Sequence, residues 1–258
     1  MMQGYEEFKK DIYNFTGLDL SLYKEKQMRR RLESRMTRLG KNSYKELFQL
    51  LKTDKAAFDD FMNYLTINVS EFFRNPEQWE KLEKKVLPKL IKKSPNLKVW
   101  SAACSTGEEP YSLVMLLTRF FPISKIKILA ADIDDEAIKK AKLGLYREKS
   151  LENIPKDLKE KYFEKVGMSY KISDEIKSCV EFKKMNLLSD KYPVGFDLIV
   201  CRNVMIYFTD EAKDLMYQKF NDSLKDGGVL FVGSTEQIIS PARYRFSSEE
   251  TFFYTKYM

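Results

Sequence analysis

The chain has 258 residues, a length that suits one large domain or two modest ones. It carries 45 Lys and Arg against 38 Asp and Glu, a formal net charge of +7, and it contains no histidine. The absence of histidine excludes a Ser-His-Asp triad, a Cys-His dyad, an HExxH zinc site and a histidine general base, while the modest positive charge only weakly indicates an anionic partner.

Residues 1–70 have the pattern of short amphipathic helices and show no strand signal. Gly17 and Gly40 suit the left-handed residue that ends a helix, and Ser43 with Glu46 forms a capping-box pattern. The apolar stripes are Tyr5, Phe8, Ile12 and Phe15; Met28, Leu32, Met36 and Leu39; Leu47, Phe48 and Leu51; and Phe58, Phe61, Met62 and Leu65. We predict a small all-α N-terminal domain over residues 1–70.

A linker with one helix follows over residues 71–95. Asn75-Pro76 interrupts the chain, and apolar residues from Trp79 to Leu90 recur at helical spacing. Because proline cannot donate a backbone hydrogen bond, we expect this helix to bend at Pro88.

After Pro95, strand-like runs alternate with helical runs. The predicted strands cover residues 98–103, 126–131, 196–201 and 229–233, and the predicted helices cover residues 108–120, 135–143 and 210–224. This alternation indicates an α/β domain with a parallel sheet wrapped by helices over residues 96–258. Residues 145–182 break the alternation with a helical stretch and short strand candidates, as an inserted subdomain would.

The first predicted strand of this domain ends in small residues, in the sequence VWSAACSTGEEPY at 99–111. Small residues allow a tight turn and a close ligand, and Pro110 suits the first turn of a helix. The run is not the GxGxxG of dinucleotide-binding proteins, and Glu108 and Glu109 stand where a helix start normally attracts an anion. The charges therefore favour a cationic ligand such as a sulfonium or an amine.

Polar residues follow two further strand candidates. Asp132 ends the second strand, where an acidic residue commonly holds ribose hydroxyls, and Asp134 is predicted to cap the next helix. Asn186 and Leu187 follow a strand candidate at 180–182 and, taken alone, predict a turn.

The strand over 196–201 ends in the sequence CRNVMIYF. Arg202, Asn203 and Tyr207 therefore crowd the end of a strand that is otherwise apolar. Taken alone, they are as consistent with ordinary packing around a buried Asn as with a functional site.

Together these segments resemble the CheR family, the S-adenosylmethionine-dependent methyltransferases of bacterial chemotaxis. The matching stretches are NVSEFFR at 68–74, VWSAACSTGEEPYS at 99–112, ADID at 131–134, NLL at 186–188 and FDLIVCRNVMIYF at 196–208. The resemblance runs in register from about residue 5 to the end of the chain. It implies a Rossmann-like class I methyltransferase domain with a small inserted β-subdomain, preceded by the small all-α domain.

The family's members methylate glutamate side chains of chemoreceptors and form glutamyl methyl esters during chemotactic adaptation. The resemblance implies S-adenosylmethionine as cofactor and S-adenosylhomocysteine as product. The implied cofactor contacts are Asn68, Ser70, Arg74, Glu109, Asp132, Asn186, Leu187, Arg202 and Asn203. The family often has Thr where this chain has Ser70, which keeps the hydroxyl. We expect only one of Glu108 and Glu109 to face the cofactor, because successive helical residues point about 100° apart.

A glutamate acceptor needs no general base, because its carboxyl has a pKa of about 4.3 and is ionised at neutral pH. This agrees with a chain that contains no histidine. Within the catalytic site, Arg74 and Tyr207 are the candidates to hold and orient the acceptor carboxylate.

Residues 21–52 contain ten Lys or Arg and three Glu. Arg31, Arg35 and Arg38 share one face of the predicted helix. We predict that they bind the substrate, the glutamate-rich helical region of a chemoreceptor in the cytoplasm, with a solvated face or another anion as the alternatives. The segment from Phe163 to Phe182 is short and has Gly167 as its one glycine, so we expect no docking on a receptor's C-terminal pentapeptide.

Two other functions stay open: a methyltransferase of the same fold with another acceptor, and a non-catalytic regulator that binds the cofactor. The sequence CRNVMIYF is not the (N/D)PP(Y/F) loop of amine methylation, so we expect no nucleic-acid partner. Cys104, Cys179 and Cys201 lie far apart without a CxxC pair, which argues against a metal site or a disulfide framework. With no signal-peptide core and no run of roughly 18–20 apolar residues, we expect a cytoplasmic monomer without membrane insertion.

Overall fold

The computed structural model describes residues 4–66 and 69–257. The chain forms two compact units. The helical unit contains residues 4–66 and Val204–Met216, and the sheet unit contains residues 69–203 and 217–257. The sequence analysis assigned Val204–Met216 to the methyltransferase domain, whereas in the structure this segment packs with the N-terminal helices.

Backbone hydrogen bonds explain that placement. The Lys24 amide donates to the Tyr207 carbonyl at 2.9 Å, and the Thr209 amide donates to the Leu22 carbonyl at 2.9 Å. Tyr23 and Phe208 pair as a short antiparallel bridge, with their ring centroids 5.0 Å apart. These are contacts between segments far apart in sequence, so local patterns do not predict them.

The N-terminal part of the helical unit has the four helices that the apolar stripes predicted. They are α1 Tyr5–Thr16, α2 Glu25–Arg38, α3 Tyr44–Thr53 and α4 Lys55–Leu65. Gly17 ends α1 in the left-handed conformation, with φ of 74°. The Ser43 hydroxyl accepts the Glu46 amide at 3.2 Å, which confirms the predicted cap, and the Glu46 carboxylate accepts the amide of Asn42 at 3.0 Å. Phe8 lies among the aromatic rings of α3 and α4 in the core.

The helical stretch of the linker contains a π-helical turn just before Pro88. Helix α5 spans Pro76–Lys81, the π-helical turn spans Leu82–Val86, and α6 spans Leu87–Lys93. The amide of Leu87 donates to the Leu82 carbonyl, five residues back. A widened turn thus directly precedes Pro88, where the sequence predicted a bend; such turns are a common cause of helix irregularity.

The sheet unit is built on a seven-stranded sheet in the order β6-β2-β1-β7-β8-β10-β9. The remaining elements are, in chain order, β1 Val99–Ser101, α7 Glu108–Leu117, β2 Ile128–Asp132, α8 Asp135–Leu143, β3 Leu145–Arg147, α9 Lys156–Tyr162, β4 Phe163–Val166, β5 Ser169–Ile172, α10 Asp174–Lys177, β6 Val180–Lys184, β7 Phe196–Cys201, α11 Asp210–Ser223, β8 Leu224–Val232, β9 Phe246–Glu250 and β10 Phe253–Lys256. The five strands from β6 to β8 are parallel, and β10 and β9 extend the sheet in antiparallel fashion. The predicted parallel α/β fold is confirmed, and the antiparallel pair is an addition that the sequence did not predict.

The inserted subdomain is a three-stranded antiparallel sheet in the order β3-β5-β4. Its last strand ends at Ile172, and β6 pairs in parallel with β2 in the main sheet. Residues 180–182 therefore belong to the main sheet, and the insertion is shorter than the predicted 145–182. The hydroxyl of Tyr146, on β3, donates to the Thr106 carbonyl at 2.7 Å.

The core of the main sheet follows from its apolar strands. All six residues of β7 are buried, as expected for a central parallel strand covered on both faces. The Trp100 ring on β1 lies 5.2 Å from that of Tyr192 and 5.7 Å from that of Phe220. Among residues 4–66 and 69–257, no helix has both the length and the apolar character needed to cross a membrane.

Candidate cofactor site

Most of the predicted site residues of the sheet unit lie at or just after the carboxyl ends of neighbouring parallel strands. Adjacent strands end together, since Asp132 pairs with Lys184 and Cys201 pairs with Val232. Ligands of open α/β sheets bind at this edge. The structure thus brings together residues that are far apart in the chain.

The turn between β1 and α7 is tightly packed around Gly107. Gly107 has φ of 98°, in the left-handed region that favours glycine. A Cβ at this position would lie 2.9 Å from the Cβ of Ala141, 2.9 Å from a ring carbon of Tyr111 and 3.0 Å from the hydroxyl of Tyr146. The turn therefore requires glycine for its backbone angle and for the space.

Asp132 is held by backbone amides on both carboxylate oxygens. Its Oδ2 accepts the amide of Ser105 at 2.7 Å, and its Oδ1 accepts the amide of Asp134 at 3.0 Å. Burial raises the pKa of Asp132, and these hydrogen bonds oppose the shift. Each oxygen can accept a further donor, so the fixed carboxylate suits ribose hydroxyls. The Asp134 carboxylate accepts the amides of Glu136 and Ala137, which confirms its predicted role as a helix cap.

Glu108 and Glu109 are both buried, and their carboxylates have different neighbours. Glu108 accepts the hydroxyl of Thr106 at 2.7 Å and a hydrogen bond from Ser70. Burial raises the pKa of Glu108, while these two hydrogen bonds lower it. The side chains of Glu108 and Glu109 therefore point in different directions, as expected for successive residues of a helix.

Glu109, in the first turn of α7, reaches the end of β1. Its carboxylate accepts the Ser101 hydroxyl at 2.8 Å. Burial raises the pKa of Glu109 to about 7, against the opposing attraction of Arg202 and, more weakly, of Arg74, while the negative charge of Glu236 adds to the rise. This carboxyl group therefore changes its charge near neutral pH.

Arg202 ties the end of β7 to the segment that begins α5. Its Nη2 donates to the Arg74 carbonyl at 2.8 Å, to Asn75 Oδ1 at 3.0 Å and to Gln78 Oε1 at 3.1 Å. The guanidinium also lies over the ring of Phe231, 4.8 Å from its centroid. The buried Nε of Arg202 has no hydrogen-bond partner within the part of the chain that the structure describes.

The segment before α5 carries two of the predicted residues. Ser70 hydrogen-bonds the Glu108 carboxylate. Arg74 is half-buried, and its Nη1 donates to the Val69 carbonyl at 3.3 Å. The segment is anchored to α7, because the Phe73 amide donates to the Ser112 hydroxyl at 3.0 Å. Asn68, the remaining residue predicted here, lies outside the described residues.

Asn186 and Leu187 follow β6 beside Asp132. The Asn186 side-chain oxygen accepts the amide of Leu188 at 3.0 Å, so the predicted turn is confirmed. The amide of Met185 donates to the Asp132 carbonyl at 2.8 Å and fixes the start of this turn at the strand-end edge.

Asn203 follows β7 in the left-handed conformation, with φ of 60°. Its amide donates to Glu236 Oε2 at 2.6 Å, and the same oxygen accepts the Gly233 amide at 2.8 Å. Glu236 is buried, yet the sequence analysis missed it, because the loop after β8 carries no pattern that stands out locally.

Arg35 does not stand free on α2 as predicted. It is 4% exposed, pairs with Asp60 of α4, and lies 5.4 Å from the ring centroid of Tyr64. Helix α4 covers this part of α2, so Arg35 belongs to the packing of the helical unit. The prediction that Arg35 faces a substrate is not supported by this structure.

The other predicted residues of the helical unit remain at least partly accessible. Arg31 is half-buried, donates to the Tyr64 carbonyl and lies over the Tyr64 ring, whereas Arg38 is exposed. Tyr207 is half-buried in a short helical turn, and it interacts electrostatically with Arg31. The structure thus brings Arg31 and Tyr207 together within one unit.

The residues of the sheet unit fit S-adenosylmethionine chemically. The buried carboxylates of Asp132 and Glu109 suit ribose hydroxyls and a positively charged group, respectively. The unpartnered Nε of Arg202 is a donor suited to a ligand carboxylate. The two acidic side chains would repel a dinucleotide pyrophosphate.

Two family models match almost the whole chain. The model described as "CheR methyltransferase, all-alpha domain" matches residues 3–66, and the model described as "CheR methyltransferase, SAM binding domain" matches residues 68–253. The chain is also 45% identical to the "Chemotaxis protein methyltransferase" of Listeria monocytogenes over 98% of this chain and 97% of that protein.

More distant relatives carry the same name. The "Chemotaxis protein methyltransferase" of Borreliella burgdorferi is 35% identical over 92% of this chain and 91% of its own length. The Escherichia coli protein of that name is 34% identical over 87% of this chain and 81% of its own length. The likeness therefore extends over the helical region and the sheet region alike.

Proposed function

This chain belongs to the CheR methyltransferase family, and we propose that it methylates glutamate side chains of bacterial chemoreceptors, forming glutamyl methyl esters. The observation that carries the proposal is the charge of the strand-end site, where buried Asp132 and Glu109 suit a cationic cofactor. The chain also contains no histidine to serve as a base, and a carboxylate acceptor needs none.

S-adenosylmethionine supplies a methyl group on a positively charged sulfur. We propose that Asp132 holds the ribose hydroxyls, that Glu109 faces a positively charged part of the cofactor, and that the Nε of Arg202 takes its carboxylate. Glu108 is already engaged by Thr106 and Ser70, so it shapes the turn around the cofactor. The remaining proposed cofactor contacts are Asn68, Ser70, Arg74, Asn186, Leu187 and Asn203.

Arg74 and Tyr207 are the proposed catalytic residues that orient the acceptor glutamate. A guanidinium offers a planar set of donors, and a phenol offers one directional hydroxyl. A very tight grip on the carboxylate would stabilise it in the ground state and slow its attack. The proposed role of both residues is therefore alignment of an anion already able to react, in a site from which water is excluded.

The proposed substrate is the glutamate-rich helical region of a chemoreceptor, and the proposed receptor-facing residues are Arg31 and Arg38. A basic surface attracts an acidic helix and fixes its orientation. Arg35 is not part of this proposal, because it is buried against α4. We propose that a monomer in the cytoplasm is sufficient for the reaction.

The test of the reaction uses methyl-labelled S-adenosylmethionine and membranes that contain a chemoreceptor, followed by mild alkali. Glutamyl methyl esters hydrolyse to volatile methanol, whereas methyl groups on nitrogen remain on the protein. We expect alkali-labile label on the receptor. Alkali-stable label, or cofactor binding without any transfer, would contradict the proposal.

The same assay tests the two catalytic residues. Arg74→Ala and Tyr207→Phe should lower turnover more than they weaken cofactor binding, because their proposed contact is with the acceptor. The matched control is Tyr13→Phe, an exposed tyrosine of α1. Full turnover in the Tyr207→Phe variant would remove that hydroxyl from the mechanism.

A further inference from the structure

We propose that Glu236 is a positioning residue of the cofactor site, whose carboxylate holds Asn203 in place at the end of β7. The inference rests on the proposed role of Asn203 in cofactor binding. Glu236 itself lies on the loop after β8 and belongs to none of the sequence motifs that predicted the site. It acts through the backbone of Asn203, and it is not proposed to touch the reacting atoms.

One carboxylate oxygen of Glu236 binds the backbone amides that follow two neighbouring strands. Glu236 Oε2 accepts the Asn203 amide at 2.6 Å and the Gly233 amide at 2.8 Å. These two amides follow β7 and β8, which pair in parallel up to Cys201 and Val232. Hydrogen bonds to a charged acceptor are stronger than neutral ones, and those of a buried carboxylate are costly to lose.

The backbone of Asn203 needs such support. Its φ of 60° lies in the left-handed region, which asparagine tolerates better than most residues but which still costs free energy. The bonded amide belongs to the peptide that joins Asn203 to Arg202. By fixing this peptide, Glu236 fixes the start of the Arg202 side chain as well, whose guanidinium reaches Arg74 and Gln78.

Gly233 is an independent sign of this arrangement. A Cβ at this position would lie 2.5 Å from Glu236 Oε2 and 2.9 Å from the Asn203 amide nitrogen. Gly233 is not among the glycines with positive φ, so its backbone angle does not require glycine. Glycine is required at this position instead because a side chain would collide with the Glu236 carboxylate and the Asn203 amide.

The experiment measures the binding of S-adenosylhomocysteine to the full chain by calorimetry. Glu236→Ala should weaken binding about tenfold or more, the size expected from losing a buried pair of hydrogen bonds. Glu236→Gln should recover most of the affinity, because the amide oxygen can accept the same two bonds. Gly233→Ala should weaken binding as Glu236→Ala does, and the control Glu249→Ala removes an exposed carboxylate and should change nothing.

A double variant separates positioning from a general loss of stability. Because Glu236 acts on the backbone of Asn203, and through it on Arg202, the double variant Glu236→Ala with Asn203→Ala should lose less affinity than the two single losses added together. Each variant is first shown to be folded by circular dichroism at the temperature of the binding experiment. If Glu236→Ala does not fold, Glu236→Asp replaces it, because the shorter side chain cannot reach both amides.

Three results would overturn the inference. Wild-type affinity in Glu236→Ala beside weakened binding in Asn203→Ala would separate the two residues. Equal loss in the Gln and Ala variants would assign the effect to the charge. Wild-type affinity in both Glu236→Ala and Asn203→Ala would show that Asn203 does not contribute to cofactor binding. None of these results bears on the alkali-labile methylation of receptors by the unmodified chain, so the proposed function is tested separately.

Discussion

At the scale of single residues, the ionisation of Glu109 determines how strongly the site binds a cation. Burial raises the pKa of this carboxyl to about 7, so the free protein holds a proton there in a large fraction of molecules at neutral pH. A positively charged ligand attracts the ionised form and must displace that proton. Binding should therefore strengthen as the pH rises toward the pKa of the free protein and level off above it.

We predict that the affinity for S-adenosylmethionine increases about tenfold between about pH 6 and about pH 8. Calorimetry across this range measures it. The control is Glu109→Gln, which has no proton to lose and should bind weakly with little pH dependence. S-adenosylhomocysteine lacks the positive sulfur but keeps the ammonium group, so its affinity should depend less on pH if Glu109 faces the sulfur, and equally if Glu109 faces the ammonium group. An equal pH dependence in the Gln variant would assign the titration to another group.

At the scale of elements, the turn from β1 to α7 depends on a glycine that two separate reasons require. Gly107 has φ of 98°, and a Cβ there would crowd Ala141 and Tyr111. Gly167, in the hairpin between β4 and β5, also has positive φ, yet a Cβ there would meet nothing within 4 Å. The two positions therefore differ in crowding while both carry the penalty of a left-handed backbone.

We predict that Gly107→Ala lowers the free energy of unfolding by about 2–4 kcal/mol and Gly167→Ala by about 1 kcal/mol. Only the first should weaken cofactor binding, because only that turn borders the strand ends. Urea unfolding and calorimetry on both variants measure the two effects. Equal destabilisation by the two substitutions would show that the packing around Gly107 relaxes at no cost.

The basic helix α2 separates into a packed part and an exposed part. Arg35 pairs with Asp60 and lies near the Tyr64 ring, whereas Arg38 is exposed. We predict that Arg35→Ala lowers the free energy of unfolding by about 1–3 kcal/mol, since Asp60 loses its partner and the packing of the buried arginine side chain near Tyr64 is lost. Arg38→Glu should leave stability within about 0.5 kcal/mol but raise the KM for receptor, and more so at low salt.

The matched measurements are urea unfolding and receptor methylation at two ionic strengths. Lys10→Glu, an exposed charge reversal on α1, controls for net charge alone. If Arg35→Ala changed the KM for receptor without changing stability, the packed role assigned to Arg35 would be wrong.

The difference between Arg35 and Arg38 shows what a sequence pattern can and cannot predict. Helical periodicity placed both on one face of α2, and the helix exists as predicted. Which part of that face is covered depends on α4, whose position is set by packing and not by the sequence of α2. Likewise, β9 carries the polar sequence FSSEE and is a strand because it pairs with β10. Glu236 lacks a local signal for the same reason, since its two partners follow different strands.

At the scale of the whole molecule, the motif CRNVMIYF is divided between the two units. Arg202 and Asn203 belong to the sheet unit, and Tyr207 belongs to the helical unit. The proposed cofactor contacts that the structure describes all belong to the sheet unit, whereas Tyr207, Arg31 and Arg38 belong to the helical unit. Cofactor binding is therefore assigned to the sheet unit, and the proposed receptor contacts are assigned to the helical unit except for Arg74, which belongs to the sheet unit. The chain passes from one unit to the other directly after Asn203.

This division predicts where S-adenosylhomocysteine should slow amide hydrogen exchange. Protection should be concentrated in the segments at the strand ends, residues 101–109, 131–134, 185–188, 202–203 and 233–236, and in residues 69–74, which contain the proposed contacts Ser70 and Arg74. Ligand binding stabilises the folded state by mass action, by about 2.7 kcal/mol at a hundredfold excess over Kd, which is ample for detection. The helices α1 and α3 should exchange as they do without ligand, because no proposed contact lies on them.

Hydrogen exchange measured by mass spectrometry on the full chain tests both the expected protection of the strand ends and the unchanged exchange of α1 and α3. The control is Asp132→Ala, which should reduce binding. Protection of α1 and α3 equal to that of the strand ends would mean that the cofactor orders the two units together, and the division of roles between them would have to be abandoned.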